Sequence, residues 1–118
     1  MSLLEQYFGY LAVYKDANGQ RIVRVVNNNG KLDTPSEDIT NTVDGVNATT
    51  LWLQVHCDFN TQKAQFSYSL NGTSFIQVGG DFPMHFTLAT FQGERYGIFN
   101  YNPNGSTGWL DVDSFRQL

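Results

Sequence analysis

From Leu51 to Phe59 the chain alternates without a break, so Trp52, Gln54, His56 and Asp58 share one face of a strand. Leu51, Leu53, Val55, Cys57 and Phe59 share the other. An indole beside an amide, an imidazole and a carboxylate is a set suited to a neutral, hydroxyl-rich ligand. The flat ring stacks on the apolar face of a pyranose, and the polar groups take its hydroxyls. Gln65 and Ser67, across the hairpin that follows, extend the same face. The competing expectation is that Trp52 is covered by the connection 31–49 or by a partner domain, since large rings are seldom left on a free surface.

Other chemistries find less support. Hydrolysis of a glycosidic bond needs two carboxylates facing each other across a pocket. Of the 11 Asp and Glu, Asp16, Asp44, Asp58 and Asp81 sit in turns, where Asp caps backbone N–H groups. Asp111 and Asp113 share one side of a predicted strand, the side expected to face solvent. His56 and Cys57 are adjacent and therefore point to opposite faces, so they build no nucleophile–base pair. No Cys-x-x-Cys or His-x-x-x-His spacing suggests zinc. No cofactor is expected; a calcium ion held by turn Asp residues and carbonyls is the one alternative left open.

These residues need strands to position them, and the chain supplies strands throughout. Tyr7–Lys15 is apolar on both faces, which marks a central strand; Arg21–Asn27 returns after the Asp16–Gly19 turn. The connection 31–49 carries one short edge strand near Asp38–Thr42. Ala64–Leu70 alternates again and runs into Asn71-Gly72, the dipeptide of a two-residue hairpin turn. Thr73–Val78, Arg95–Tyr101 and Thr107–Phe115 complete the pattern, the last with Leu110 and Val112 inward. The opening Met1-Ser2-Leu3 reads as a remnant added ahead of the native chain. No amphipathic helix of three turns can be drawn. The expectation is all-β: one domain over 1–118, an antiparallel β-sandwich of jelly-roll type.

Composition narrows the partners. The 118 residues carry a net charge of −4, and their 7 Lys and Arg are scattered rather than gathered in a stripe, which argues against nucleic acid. No apolar run is long enough to cross a bilayer. Cys57 lies on the apolar face and reads as a small buried hydrophobe. Only 15% of residues are charged while 14% are aromatic, so much of the surface is uncharged and polar. Such a surface is common on extracellular sandwiches and favours a secreted or periplasmic setting over a cytoplasmic one. The sequons at Asn47, Asn71 and Asn104 fall in Asn-rich turns.

Three segments in order carry a resemblance: Phe66-Ser-Tyr-Ser-Leu-Asn-Gly-Thr-Ser-Phe75, Phe91-Gln-Gly-Glu-Arg-Tyr-Gly-Ile-Phe99 and Leu110-Asp-Val-Asp-Ser-Phe-Arg116. They are similar, in order and spacing, to four motifs of the C-terminal concanavalin-like sandwich of family-43 glycoside hydrolases, the β-xylosidases and α-L-arabinofuranosidases: a strand ending in Tyr-Ser-x-Asp-Gly, a Gly-x-Phe turn, a Gly-x-Arg-x-Gly-Leu-Phe strand and a closing Asp-Phe-Asp-x-Phe strand. The resemblance runs from about Thr50 to Arg116 and extends back towards Tyr7; Asn71 replaces the usual Asp before Gly72. It implies a non-catalytic module of a larger enzyme acting on plant-type polysaccharide, xylan or arabinan. It also implies a separate catalytic propeller in the same polypeptide, against which the sandwich packs. A loop aromatic reaching the rim of the catalytic site would come from 83–93, with Phe86 and Phe91 as candidates. The alternative is a stand-alone carbohydrate-binding module using the Trp52 face. The family's sandwich has additional strands before the equivalent of Tyr7, so this one is expected to lack N-terminal strands. The doubly apolar strand would then be covered by the rest of a larger polypeptide, or by a second copy in a homodimer, through Phe8, Tyr10 and Tyr14.

Overall fold

The computed structural model describes residues 1–4, 6–31, 33–85, 95–102, 104–105 and 107–118. Among them the strands are β1 (Ser2–Leu4), β2 (Gly9–Asp16), β3 (Gly19–Asn27), β4 (Glu37–Val43), β5 (Trp52–Asp58), β6 (Lys63–Ser69), β7 (Ile76–Gln77), β8 (Phe82–Pro83) and β9 (Arg95–Gly97). Two antiparallel sheets result, with orders β4-β3-β2-β1-β9 and β5-β6-β7. β8 pairs with β6 at Lys63 and Ala64, on from where β7 pairs at Ser67 and Tyr68. β7 and β8 thus form one interrupted edge, parted by Gly79-Gly80. All described strands belong to an all-β sandwich, as the periodicity predicts.

Pairing and period two together decide what meets in the middle. In the second sheet, Leu53↔Tyr68, Val55↔Phe66 and Cys57↔Ala64 are cross-strand pairs on the inner face. Facing them from the first sheet are Leu11, Ile22 and Val26, with Val46, Val78, Phe82 and Met84 closing the sides. Phe66 is the centre of this core: it is fully buried, and its ring meets that of Phe82 edge-on at 6.0 Å. Gly9 lies directly over it, where a Cβ would come within 3.1 Å of the Phe66 ring. The connection after β4 is anchored inward as well, since the Val46 N–H donates to the Gln20 carbonyl at 3.1 Å.

The first sheet also buries its outer face, as expected of a strand with two apolar sides. Tyr10, Val23 and Val25 form a second buried cluster there, with Phe8 and Ala12 against it. Part of its cover is the chain's own: the Phe99 ring meets Tyr10 edge-on at 5.1 Å, and Tyr101 stacks on Phe99 at 5.9 Å. The Tyr10 hydroxyl donates to Glu37 Oε2 at 3.2 Å. Burial, with the nearby Glu37 carboxylate, raises the Tyr10 pKa well above the usual tyrosine value. Tyr14, further along the same face, stays exposed beneath the Arg21 guanidinium.

Three expectations are corrected, and one strand is added to those expected. Ser2–Leu4 is β1, paired with both β2 and β9. Asn71-Gly72 does not close a two-residue hairpin, because β6 ends at Ser69 and β7 begins at Ile76. Asn71 Oδ1 instead accepts from the N–H groups of Thr73 and Ser74, both at 2.9 Å, and Ser69 Oγ accepts from the Gly72 N–H at 2.9 Å. Side-chain oxygens thus take the place of ladder partners and hold a wider loop. Gly72 does adopt the positive φ expected, +74°. The strand expected over Arg95–Tyr101 stops at Gly97, and that expected over Thr107–Phe115 is unpaired, with Leu110 and Val112 exposed. An alternating pattern reports a capacity to pair, not an edge to pair with.

Candidate functional site

The outer face of β5-β6-β7 is where polar side chains gather over a concavity. β-Pairing sets Gln54, Ser67 and Gln77 in one row across three strands, and His56 and Gln65 in the next. With Phe75 they line an open depression of about 380 Å³. Ser67 Oγ donates to Gln54 Oε1 at 3.2 Å, and Gln77 Nε2 donates to the Gly79 carbonyl at 3.0 Å. The lining is thus three amides, a hydroxyl, an imidazole and one exposed ring, with no carboxylate or ammonium among them. Such a surface offers neutral donors and acceptors to hydroxyl groups.

At the rim, Gln65 Nε2 donates to Asp81 Oδ1 at 2.9 Å, and Lys63 Nζ lies 3.3 Å from Asp81 Oδ2. The Gln65 amide and the Lys63 ammonium hold the Asp81 carboxyl below the usual carboxylate range. Gln65 is thereby tied by one end to the rim.

The structure treats the four side chains of β5 differently. Gln54 and His56 line the depression. Trp52 shares their face but lies at its end, against the 70–75 loop: a Cβ on Gly72 would stand 2.9 Å from Trp52 Cε2. The indole is 40% exposed, so neither the connection 31–49 nor the opposite sheet covers it completely. Asp58 is committed to the turn, its Oδ1 accepting from the Asn60 N–H at 2.9 Å and the Thr61 N–H at 3.3 Å. The hydrogen bond with the Thr61 side chain, then those with the two backbone N–H groups, hold its carboxyl below the ordinary range. Phe86 and Phe91 lie outside the described residues.

Phe75 and Gln77 belong to this face but were not singled out from the sequence. The signal was present, since Thr73, Phe75 and Gln77 alternate after Gly72. A two-residue turn, however, sets a different register for them than the wider loop that forms.

The remaining groups are dispersed. Asp111 and Asp113 are exposed on an unpaired stretch, and Cys57 packs against the core. Among the described residues, no three of His, Cys, Asp and Glu come together in a way that could hold a metal ion. A smaller cavity of about 180 Å³ opens between the sheets, lined in part by Tyr7, Arg24, Asn27, Thr40 and His85. The His85 ring meets that of Tyr7 at a tilt of 39°, with centroids 4.4 Å apart.

Comparison with known proteins agrees with this architecture. Searches among curated proteins and among solved structures found no match. The model of the beta-xylosidase C-terminal concanavalin A-like domain matches residues 2–117, nearly the whole chain. With its two antiparallel sheets and its described strands, the chain belongs to this family of C-terminal modules of family-43 glycoside hydrolases.

Proposed function

We propose that the chain is a non-catalytic ancillary module of a glycoside hydrolase acting on xylan- or arabinan-type polysaccharide, packed against the catalytic domain of the same polypeptide. The family match over residues 2–117 carries this reading. The chemistry of the cavities supports it: neither the open depression nor the cavity between the sheets is lined by an Asp or a Glu. A glycosidase needs two such groups across one pocket. Packing against a larger partner is supported by the apolar side chains left in solvent after β9, among them Trp109 at 87% exposed, Leu110, Val112 and Phe115. Mixing the chain with a family-43 catalytic domain that lacks its own sandwich tests the packing. A stable complex by light scattering, with a raised melting temperature, is expected; two species that sediment independently would overturn the docking role.

The second reading is a carbohydrate-binding module, and the row Gln54-Ser67-Gln77 with exposed Trp52 and Phe75 is the observation that favours it. Titration of xylo- and arabino-oligosaccharides, followed by tryptophan fluorescence, separates the two. A saturable change that disappears in Trp52→Ala selects the binding module, and a flat response leaves the docking role alone.

A further inference from the structure

An amide side chain carries a donor end and an acceptor end, and a half-turn exchanges them. On the outer face of β5-β6-β7 two of the three amides have lost that choice. Gln65 meets Asp81 Oδ1 at 2.9 Å, and an ionised carboxylate only accepts, so the end turned towards it is the NH2. The same hydrogen bond, with Lys63, holds the Asp81 carboxyl below the ordinary range and so keeps it ionised. Gln77 meets the Gly79 carbonyl at 3.0 Å, a backbone acceptor that imposes the same orientation. Neither Asp81 nor Gly79 lines the depression, so both NH2 ends are drawn to its border. The carbonyl ends, Gln65 Oε1 and Gln77 Oε1, diverge from those anchors and accept no hydrogen bond from the described residues. Both side chains are exposed, so a ligand in the depression can reach them.

Ser67 adds to the pattern. Its hydroxyl gives its proton to Gln54 Oε1 at 3.2 Å, which leaves the Ser67 oxygen as a further acceptor and the Gln54 NH2 as a donor. Among the lining amides and hydroxyl, the oxygens of Gln65, Ser67 and Gln77 thus stand against the single NH2 of Gln54. The Lys63 ammonium at the rim is engaged by Asp81 at 3.3 Å. A sugar hydroxyl suits this face, since it donates to the oxygens and accepts from the Gln54 amide. A carboxylate brings only acceptors to a face of acceptors, and it gives up water without meeting a free cation. Phe75, 40% exposed, supplies a ring for the apolar side of a pyranose.

We propose that the depression binds neutral pyranose units and discriminates against uronic acids, with Gln65 and Gln77 accepting from sugar hydroxyls and Asp81 as the positioning residue for Gln65. This selectivity rests on the carbohydrate-binding reading of the face, and it can fail while that reading stands.

The test uses tetrasaccharides that share a β-1,4-linked pyranose backbone and differ only in the substituent at C5. Xylotetraose carries hydrogen there, cellotetraose a hydroxymethyl group and tetraglucuronate a carboxylate. Each is titrated into the whole 118-residue protein at about pH 8, where free imidazole groups are uncharged, and in about 0.5 M salt, which screens the net charge of −4. Calorimetry gives the affinities, and the Nε2–Hε2 cross-peaks of the glutamines by NMR locate the contact. Both neutral sugars are expected to bind, with saturable shifts at Gln54, Gln65 and Gln77, and tetraglucuronate to bind about tenfold more weakly or less. Lys63→Ala combined with Asp81→Ala removes the rim ion pair at constant net charge and frees the Gln65 amide to turn its NH2 to the ligand. The gap between cellotetraose and tetraglucuronate should then narrow by about threefold, whereas Lys63→Ala alone keeps the Gln65–Asp81 bond and the gap. Equal affinity for these two sugars, or a preference for the acid, overturns the selectivity and leaves sugar binding in place. A gap that the double variant does not change overturns the positioning role of Asp81. No response to any of the sugars removes the selectivity together with the carbohydrate-binding reading.

Discussion

In the five-stranded sheet the central pair β2-β3 is apolar on both sides, whereas the four-stranded sheet is apolar on one side only. Val23 and Val25 are buried on the far side of β3, while Gln54, His56, Gln65 and Ser67 line an open depression on the far side of β5-β6. The first sheet spends both faces on packing, partly beneath its own Phe99, and has little polar surface there with which to recognise anything. The second keeps one face of amides and a hydroxyl around an open depression, the face to which the proposed binding role is assigned. Truncation should therefore separate stability from recognition along the two faces of β6.

Phe66→Ala removes the ring at the centre of the inner face and should cost about 3–5 kcal/mol, read as a lowered urea midpoint. Gln65→Ala, one residue away on the opposite face, should lie within about 0.5 kcal/mol of the wild type. Equal losses in the two variants would erase the distinction between the faces.

The distinction was largely legible beforehand. Strict alternation in Leu51–Phe59 and Ala64–Leu70 places Val55 and Phe66 inward and Gln54 and Gln65 outward, and the observed register agrees. The edge strand near Asp38–Thr42 is present as Glu37–Val43. What the periodicity could not supply was partners and local detours. Three residues of β1 are too few to show a period, and the unpaired stretch after Gly105 alternates without finding an edge. Arg24 reads from the sequence as one more polar break in a Val-rich strand; in the structure it turns inward over the Phe66 ring, where a register shift leaves Thr40 unpaired and Gly79 comes close.

Gly72→Val sharpens the comparison at the end of the polar face. A β-branched residue at φ +74° should cost about 1–2 kcal/mol, and the clash with the indole should shift Trp52 emission. An unchanged melting temperature with unchanged emission would contradict the loop geometry. Tyr10→Phe, on the far side of the other sheet, removes a partly buried hydrogen bond to Glu37 and should cost about 1 kcal/mol in thermal unfolding.

The smallest effect is electrostatic. Asp58 and Asp81 have folded-state pKa values below the ordinary carboxylate value, so the unfolded chain binds their protons first as the medium is acidified. Their contribution to stability is complete above the unfolded carboxylate range, near pH 4, and is lost as pH falls through the folded values. Both groups face solvent, so the loss should be slight and should shrink in high salt. Carboxyl NMR titration that finds either group at or above the ordinary value would remove the turn and rim hydrogen bonds from this account.

The central proposal is that this domain carries no hydrolytic chemistry of its own. Purified chain incubated with aryl β-xyloside and aryl α-L-arabinofuranoside measures that directly, with nitrophenol release followed across the fractions of a final sizing column. The account predicts release equal to buffer in every fraction. Release that co-elutes with the 118-residue chain and falls in Asp111→Asn would contradict it, because that carboxylate stands exposed and lines neither cavity.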